Sequence, residues 1–127
     1  MSAPNPVVSS ETSKIKLSVV KGLRVGKSYA LKDGVSYLGR KGSHAVDVDL
    51  TEQENPAAPV SVNRFALLWF DKNGLAIADT GRRVTRLNGD LIPSGKRFPL
   101  QGDDTLQFGK TVLQIKVIVK KRTGMQK

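Results

Sequence analysis

The stretch Phe65-Ala-Leu-Leu-Trp-Phe-Asp-Lys-Asn-Gly-Leu-Ala-Ile-Ala-Asp79 decides the fold class of this 127-residue chain. Two apolar runs, Phe65–Phe70 and Leu75–Ala78, stand on either side of Lys72-Asn73-Gly74. An Asn-Gly pair supplies the positive φ angles that a tight hairpin turn requires. The stretch therefore predicts two strands joined by a hairpin turn.

The same pattern of short apolar runs extends in both directions. From Ile15 to Val19 apolar and polar residues alternate, which is the period-two pattern of a half-buried strand. Asp33-Gly34 and Asn88-Gly89 are further sites that we interpret as hairpin turns. No window sustains the apolar stripe of a helix, so we predict an all-β sandwich or barrel. The other predicted strands are Ser28–Leu31, Val35–Leu38, Val46–Leu50, Val84–Leu87 and Val112–Val119.

Both ends of the chain lose this pattern. Residues 1–13 are rich in Pro and Ser and are expected to form a flexible tail, and residues 121–127 a basic tail. The domain is expected to span residues 14–120. The longest stretch without a charged residue, Met1–Ser10, is much shorter than the roughly 20 apolar residues of a membrane span. With no signal-peptide pattern either, we expect a cytoplasmic protein.

The net charge of +10 is distributed unevenly along the chain. Residues 1–60 contain 8 basic and 6 acidic side chains, whereas residues 61–127 contain 13 basic and 5 acidic ones. Such an excess favours an anionic partner: nucleic acid, an acidic protein surface or a phosphorylated peptide. The alternative is that the charge serves solubility alone.

The residues that catalysis and cofactor binding require are scarce. The chain has no Cys and a single His, His44, so a thiol nucleophile and a multi-histidine metal site are excluded. Gly22–Ser28 resembles a nucleotide-binding loop, but it is one residue too short between its glycines and is followed by a strand pattern. The acidic stretch Asp47–Glu54 lacks the central Gly of a calcium loop. We expect no enzymatic activity, no cofactor and no metal.

Arginine and serine side chains are spread over several predicted loops. Because sandwich loops gather at two ends, such donors from separate loops can converge on a phosphate-like dianion. The candidate residues for this phosphopeptide-binding site are Arg40, Ser61, Arg64, Arg82 and Arg83.

Over residues 15–120 the order of motifs resembles the forkhead-associated (FHA) domain. The stretch Val46–Glu54 is similar to FHA domains of bacterial, particularly cyanobacterial, proteins. The resemblance implies a β-sandwich of about eleven short strands that binds phosphothreonine peptides. It also implies a phosphate or loop contact for Arg40, and structural turn roles for Gly39, Asn88 and Gly89. The motifs are Ser36–Arg40, Val46–Leu50, Ala66–Phe70, Leu75–Asp79, Leu87–Gly89 and Leu106–Gly109.

The binding signature departs from the family pattern in two loops. Phe65 stands where the family has a His that buttresses the loop, and the family Ser falls at either Ser61 or Val62. The segment Gly81–Thr85 replaces the family's Ser/Thr-x-Asn-Gly, so Arg83 would have to substitute for a neutral Asn that holds the peptide backbone.

We therefore expect a non-enzymatic interaction module that binds a protein partner through a threonine-phosphorylated or acidic segment. One alternative is a phosphate-independent subunit or assembly factor docked in a larger complex. A second is non-specific nucleic-acid binding through the basic C-terminal half. The latter is disfavoured because the chain lacks the exposed aromatic set on which single-stranded bases stack.

Overall fold

The computed structural model describes residues 9–40, 46–50, 53, 64–81 and 85–119, with only the backbone at residues 64 and 65. Within these ranges the regular elements are eleven strands, which confirms the predicted all-β class and strand number. The strands are β1 (Ser13–Lys21), β2 (Ser28–Leu31), β3 (Gly34–Gly39), β4 (Val48–Asp49), β5 (Arg64–Asp71), β6 (Gly74–Asp79), β7 (Thr85–Leu87), β8 (Asp90–Leu91), β9 (Phe98–Pro99), β10 (Thr105–Phe108) and β11 (Thr111–Val119).

The strands form two sheets. The six-stranded sheet has the order β2-β1-β11-β10-β7-β8, and the five-stranded sheet has the order β4-β3-β5-β6-β9. Neighbouring strands are antiparallel except β3 and β4, which are parallel. The chain crosses between the sheets after β2, β6, β8 and β9, so each sheet contains strands from both halves of the sequence.

The core lies between the two sheets and follows from the period-two pattern. In β1, Ile15, Leu17 and Val19 are buried while Lys14 and Lys16 are exposed. Alternate residues of a strand point to opposite faces of the sheet, so one face of each strand contributes to the core. The largest fully buried side chains are Phe70, Phe108, Ile15, Leu17, Leu38, Leu50, Leu68, Ile77, Leu106, Leu113 and Ile115.

The structure corrects two expectations about local elements. Asp33-Gly34 was expected to close a hairpin, but it joins β2 in one sheet to β3 in the other. The predicted strand Val46–Leu50 is reduced to Val48–Asp49, which pairs only with the end of β3. The first difference arises because turn residues specify a local reversal and do not specify which sheet receives the next strand. The second arises because β4 lies at the edge of its sheet and has only the last two residues of β3 as partners. No helix in the described ranges is long and apolar enough to cross a membrane.

Candidate functional site: one end of the sandwich

One end of the sandwich, here called the loop end, is where β3 and β6 finish and β5 and β7 begin. In the five-stranded sheet Gly39 pairs with Arg64, and Ala66 pairs with Asp79. Neighbouring strands lie about 4.8 Å apart. The backbones of the β3, β5 and β6 termini therefore follow one another across the same edge of the molecule.

Arg40 directly follows β3 at the loop end, and its side chain is half-buried. Gly39 was expected to be a turn residue, but it is the last residue of β3. Its φ is not positive, and the pairing of β3 with β5 shifts register between Leu38 and Gly39. A register shift of this kind bends a strand and redirects the residues that follow it. Gly39 therefore acts at a strand irregularity that precedes Arg40.

The connection between β6 and β7 is held by one buried carboxylate. Asp79 is 2% exposed, and its Oδ1 accepts hydrogen bonds from the Thr85 backbone N (3.2 Å) and the Thr85 Oγ1 (2.8 Å). Its Oδ2 accepts hydrogen bonds from the Gly81 N (3.0 Å) and the Ser94 Oγ (2.9 Å). Gly81 adopts a φ of 102°, which favours glycine. The residues on both sides of Arg82 and Arg83 are thus fixed by the same side chain.

The connection between β4 and β5 has an anchor of its own. Gln53 is 3% exposed; its Oε1 accepts a hydrogen bond from the Arg24 N (2.8 Å), and its Nε2 donates to the Tyr29 hydroxyl (3.1 Å). Its backbone N donates to the Leu50 carbonyl, and its carbonyl accepts from the Leu23 N. The three bonds with Leu23, Arg24 and Tyr29 fasten the connection to the hairpin formed by β1 and β2.

The structure describes only some of the predicted site residues. Arg40 and the backbone of Arg64 lie at the loop end, on neighbouring strands. Ser61, Arg82 and Arg83 lie outside the described residues. Their convergence on one ligand therefore stays a prediction.

Asn88 and Gly89 form the connection between β7 and β8, away from the loop end. Their φ values are 51° and 92°, and the flanking pair is Leu87 with Asp90, as in a two-residue type I′ turn. The Asn88 Oδ1 accepts a hydrogen bond from the Thr105 N at 2.8 Å. These two residues shape the scaffold and do not line the candidate site.

Two buried polar residues at the loop end escaped the sequence analysis. Asp79 has a recognisable signal, because Leu75, Ile77 and Asp79 alternate on the inward face of one strand. An acidic residue at an inward position must find hydrogen-bond donors. Gln53 has no such signal, since it stands between two glutamates in a polar stretch.

The acidic residues do not assemble into a metal centre in the described ranges, where no group of three or more His, Cys, Asp or Glu side chains lies together. Asp47 is exposed and makes a structural contact. Its carboxylate accepts hydrogen bonds from the Lys32 Nζ and the Tyr37 N, both at 2.8 Å.

Comparison with known proteins identifies the fold by structure and not by sequence. No protein-family model matches the chain, and no curated protein matches it. An FHA domain of a hypothetical Arabidopsis thaliana protein superposes with a TM-score of 0.72 at 20% identity, covering 95% of this chain and 97% of that one. The kinase-interacting FHA domain of the Arabidopsis kinase-associated protein phosphatase KAPP gives 0.67 at 21% identity, covering 87% and 98%.

A third similar structure comes from a structural and functional analysis of phosphothreonine-dependent FHA domain interactions. Its TM-score is 0.62 at 19% identity, and it covers 81% of this chain and 95% of that one. The agreement extends over most of each molecule, including both sheets. The chain therefore has the forkhead-associated fold, as the order of its motifs predicts.

Proposed function

We propose that this chain is a non-enzymatic protein-interaction module whose loop end binds a phosphothreonine-containing or acidic segment of a partner protein. The observation that carries the proposal is the placement of Arg40 beside the start of β5, on the same edge as the anchored connection from β6 to β7. Related support comes from the FHA domain studied for phosphothreonine-dependent interactions, which has the same fold.

The anchoring by Asp79 limits where Arg82 and Arg83 can act. Only three residues separate Gly81 from Thr85, and both of these bond to the same carboxylate. A chain advances at most about 3.6 Å per residue, so such a short connection cannot extend far from its anchors. This geometry favours a guanidinium near the loop end, within reach of a ligand that Arg40 contacts.

The basic residues of two connections at this end support an anionic ligand. Arg40, Lys41, Arg82 and Arg83 belong to the connections that follow β3 and β6, and the carboxylate of Asp79 is engaged internally. A phosphothreonine carries about −1.5 to −2 charges at neutral pH. Guanidinium groups bind such oxygens through two parallel N–H donors.

Two or three such contacts supply part of the free energy that reversible binding requires. Each hydrogen bond to a charged group contributes roughly 1.5–3 kcal/mol. Micromolar affinity requires about 8 kcal/mol in total, after the peptide has lost its conformational freedom. The remainder would come from contacts of the peptide backbone with the loops.

Four matched peptides test the proposal directly. They share one sequence and carry phosphothreonine, phosphoserine, glutamate or unmodified threonine at the central position. We expect the phosphothreonine form to bind most tightly, followed by the glutamate form, as measured by fluorescence anisotropy. Binding of all four forms with equal affinity would contradict a phosphate-reading site.

The departures in the binding signature favour a second candidate function. Phe65 replaces a family His that supports the loop by hydrogen bonds, and a phenyl ring cannot form them. The loop end would then dock a partner through shape and general charge, as a constitutive subunit of a larger complex. Equal binding of phosphorylated and unmodified segments from one partner is the result that distinguishes this function.

A further inference from the structure

The outward face of the six-stranded sheet is cationic. Because side chains alternate, the residues in register with Lys16 on β1 point away from the core. Among the described strand residues of this face, the charged ones are all cationic. The face includes Lys14, Lys16, Ser18 and Val20 of β1, Ser28 and Ala30 of β2, Val112, Gln114, Lys116 and Ile118 of β11, Thr105 and Gln107 of β10, Arg86 of β7, and Leu91 of β8.

Two of these lysines stand directly opposite each other. Lys16 of β1 pairs with Lys116 of β11, and Lys14 faces Ile118 one pair further along the same face. Directly opposite residues on antiparallel strands have Cβ atoms about 4.5–5.5 Å apart, so like charges there repel and destabilise the sheet. The contact of Lys116 with Asp103 is long, at 3.8 Å, and the Asp103 side chain is 80% exposed. This contact compensates the repulsion weakly.

The lysines are accompanied by exposed aliphatic side chains. Ile118 is 42% exposed on the same face, and Val119 at the end of β11 is 74% exposed. The sequence continues from Val119 into Lys120-Lys121-Arg122. Lys14, Lys16, Lys116 and Ile118 together are called the lysine face below.

We propose that the lysine face docks an acidic protein segment in which carboxylates are interleaved with aliphatic residues. Carboxylates placed between Lys16 and Lys116 would relieve their repulsion, and an aliphatic side chain would cover Ile118. The lysine face lies on the flank of the sandwich, towards the end opposite the loop end, since β11 begins at the loop end and Lys116 is its sixth residue. Its occupant is therefore a second contact, separate from the phosphate-reading site.

The composition of this surface favours a protein segment over nucleic acid. None of the described residues that point outward from the six-stranded sheet is aromatic, so the surface offers no stacking platform for single-stranded bases. Its cationic cluster adjoins the exposed side chain of Ile118, which a phosphate backbone would leave uncovered. Mixed acidic and aliphatic chemistry matches both parts of the lysine face.

The test uses a defined probe and two variants of equal charge change. The probe is the fluorescein-labelled, unphosphorylated peptide Glu-Glu-Leu-Glu-Ser-Glu-Leu-Glu-Glu, compared with the same peptide carrying Gln in place of Glu. Lys16→Glu alters the lysine face, and Lys72→Glu, in the exposed turn between β5 and β6, is the matched control. The full chain is titrated at low ionic strength by anisotropy and by amide chemical shifts.

The proposal predicts amide shifts centred on Lys16, Gln114 and Lys116. Lys16→Glu should weaken binding of the acidic peptide by about fivefold more than Lys72→Glu does, because it replaces an attraction by a repulsion at the contact. The Lys16→Glu protein should also melt at a higher temperature than wild type, since the introduced carboxylate would face Lys116. This second readout shows that lost binding does not come from lost folding.

Three results would overturn the proposal. The first is absence of binding by the acidic peptide, and the second is equal weakening by the two variants. The third is preferential binding of a short DNA duplex in competition with the peptide, which would assign the lysine face to nucleic acid. Amide shifts confined to the loop end would also overturn the proposal, because they would place the peptide at the other site.

Discussion

The two ends of the sandwich are built from connections of different kinds. At the end opposite the loop end, called the turn end, Lys72-Asn73 joins β5 to β6 and Asn88-Gly89 joins β7 to β8. At the loop end the β6–β7 and β4–β5 connections are longer, and Asp79 and Gln53 fasten them through buried side chains. Short turns close the β5–β6 and β7–β8 hairpins, whereas buried side-chain hydrogen bonds hold the longer β6–β7 and β4–β5 connections.

This difference separates what the scaffold needs from what recognition needs. The Asn88-Gly89 turn leaves little room for variation, because both of its residues adopt positive φ angles. A long connection held at its ends can exchange the residues between the anchors while the sheets stay intact. Two of the arginines proposed for binding, Arg82 and Arg83, belong to such a connection, with Gly81 and Thr85 as its anchored residues.

The largest effect is expected from the anchor of the β6–β7 connection. Asp79→Ala would leave the backbone N and the hydroxyl of Thr85 without their buried acceptor. Each buried group that loses its partner costs about 1–3 kcal/mol, so the free energy of unfolding should fall by about 3 kcal/mol or more. The free energy of unfolding is measured by urea unfolding. Asp90→Ala, at an exposed position, is the control and should change stability by less than about 0.5 kcal/mol.

A smaller effect is expected from the anchor of the β4–β5 connection. Gln53→Ala removes the hydrogen bonds to the Arg24 N and the Tyr29 hydroxyl and should cost about 2 kcal/mol. Gly22→Ala disturbs the same contact sterically, because its added Cβ would lie 2.6 Å from the Gln53 Oε1. The double variant should cost less than the two single costs together, by at least about 0.5 kcal/mol. Additive costs would mean that contact with the Gln53 side chain is not the reason why Gly22→Ala destabilises the protein.

At the turn end the third prediction concerns the φ angle of Gly89. Gly89→Ala forces a side chain into a φ of 92° and should cost about 1–2 kcal/mol, measured by urea unfolding. Gly89→Asn should cost less, because Asn tolerates positive φ better than Ala does. An equal cost for Ala and Asn would mean that the positive φ does not determine which residues position 89 tolerates.

The smallest effect on stability is expected from shortening the N-terminus. Comparing two truncations locates the boundary of the domain. Removing residues 1–8 should change the free energy of unfolding by less than about 0.5 kcal/mol. Removing residues 1–12 also deletes the hydrogen bond from the Ser10 N to the Asp71 carbonyl and the contacts of the buried Ser9. That deletion should cost at least about 1 kcal/mol. Equal stability of the two truncated proteins would place the boundary after residue 12.

The sequence predicts the strands whose signals are local. β1, β2, β3, β5, β6 and β11 appear as alternating or apolar runs because each buries one face against the core. β8 and β9 contain two residues each, too few for any period to show. β10 is visible only through the resemblance to the FHA family, in the motif Leu106–Gly109.

The assignment of strands to sheets and the anchoring role of Gln53 were beyond local reasoning. β2 and β3 are separated by only two residues and yet belong to different sheets, which follows from how the whole core closes. Gln53 acquires its role from Arg24 and Tyr29, which are more than twenty residues away in the sequence. Arg40 was found because a strand end followed by Gly-Arg is part of the family pattern.

The central claim, that the loop end reads phosphate through Arg40, is tested by one comparison of affinities. Wild type, Arg40→Ala and Arg40→Lys are titrated with one labelled peptide in its phosphothreonine and unmodified forms, and the anisotropy gives Kd for each of the six pairs. We predict that Arg40→Ala loses roughly 1.5–3 kcal/mol of binding to the phosphorylated peptide alone. Arg40→Lys should recover only part of it, because an ammonium lacks the planar pair of donors. The same Kd for all three proteins, or an equal loss for both peptide forms, would contradict the claim.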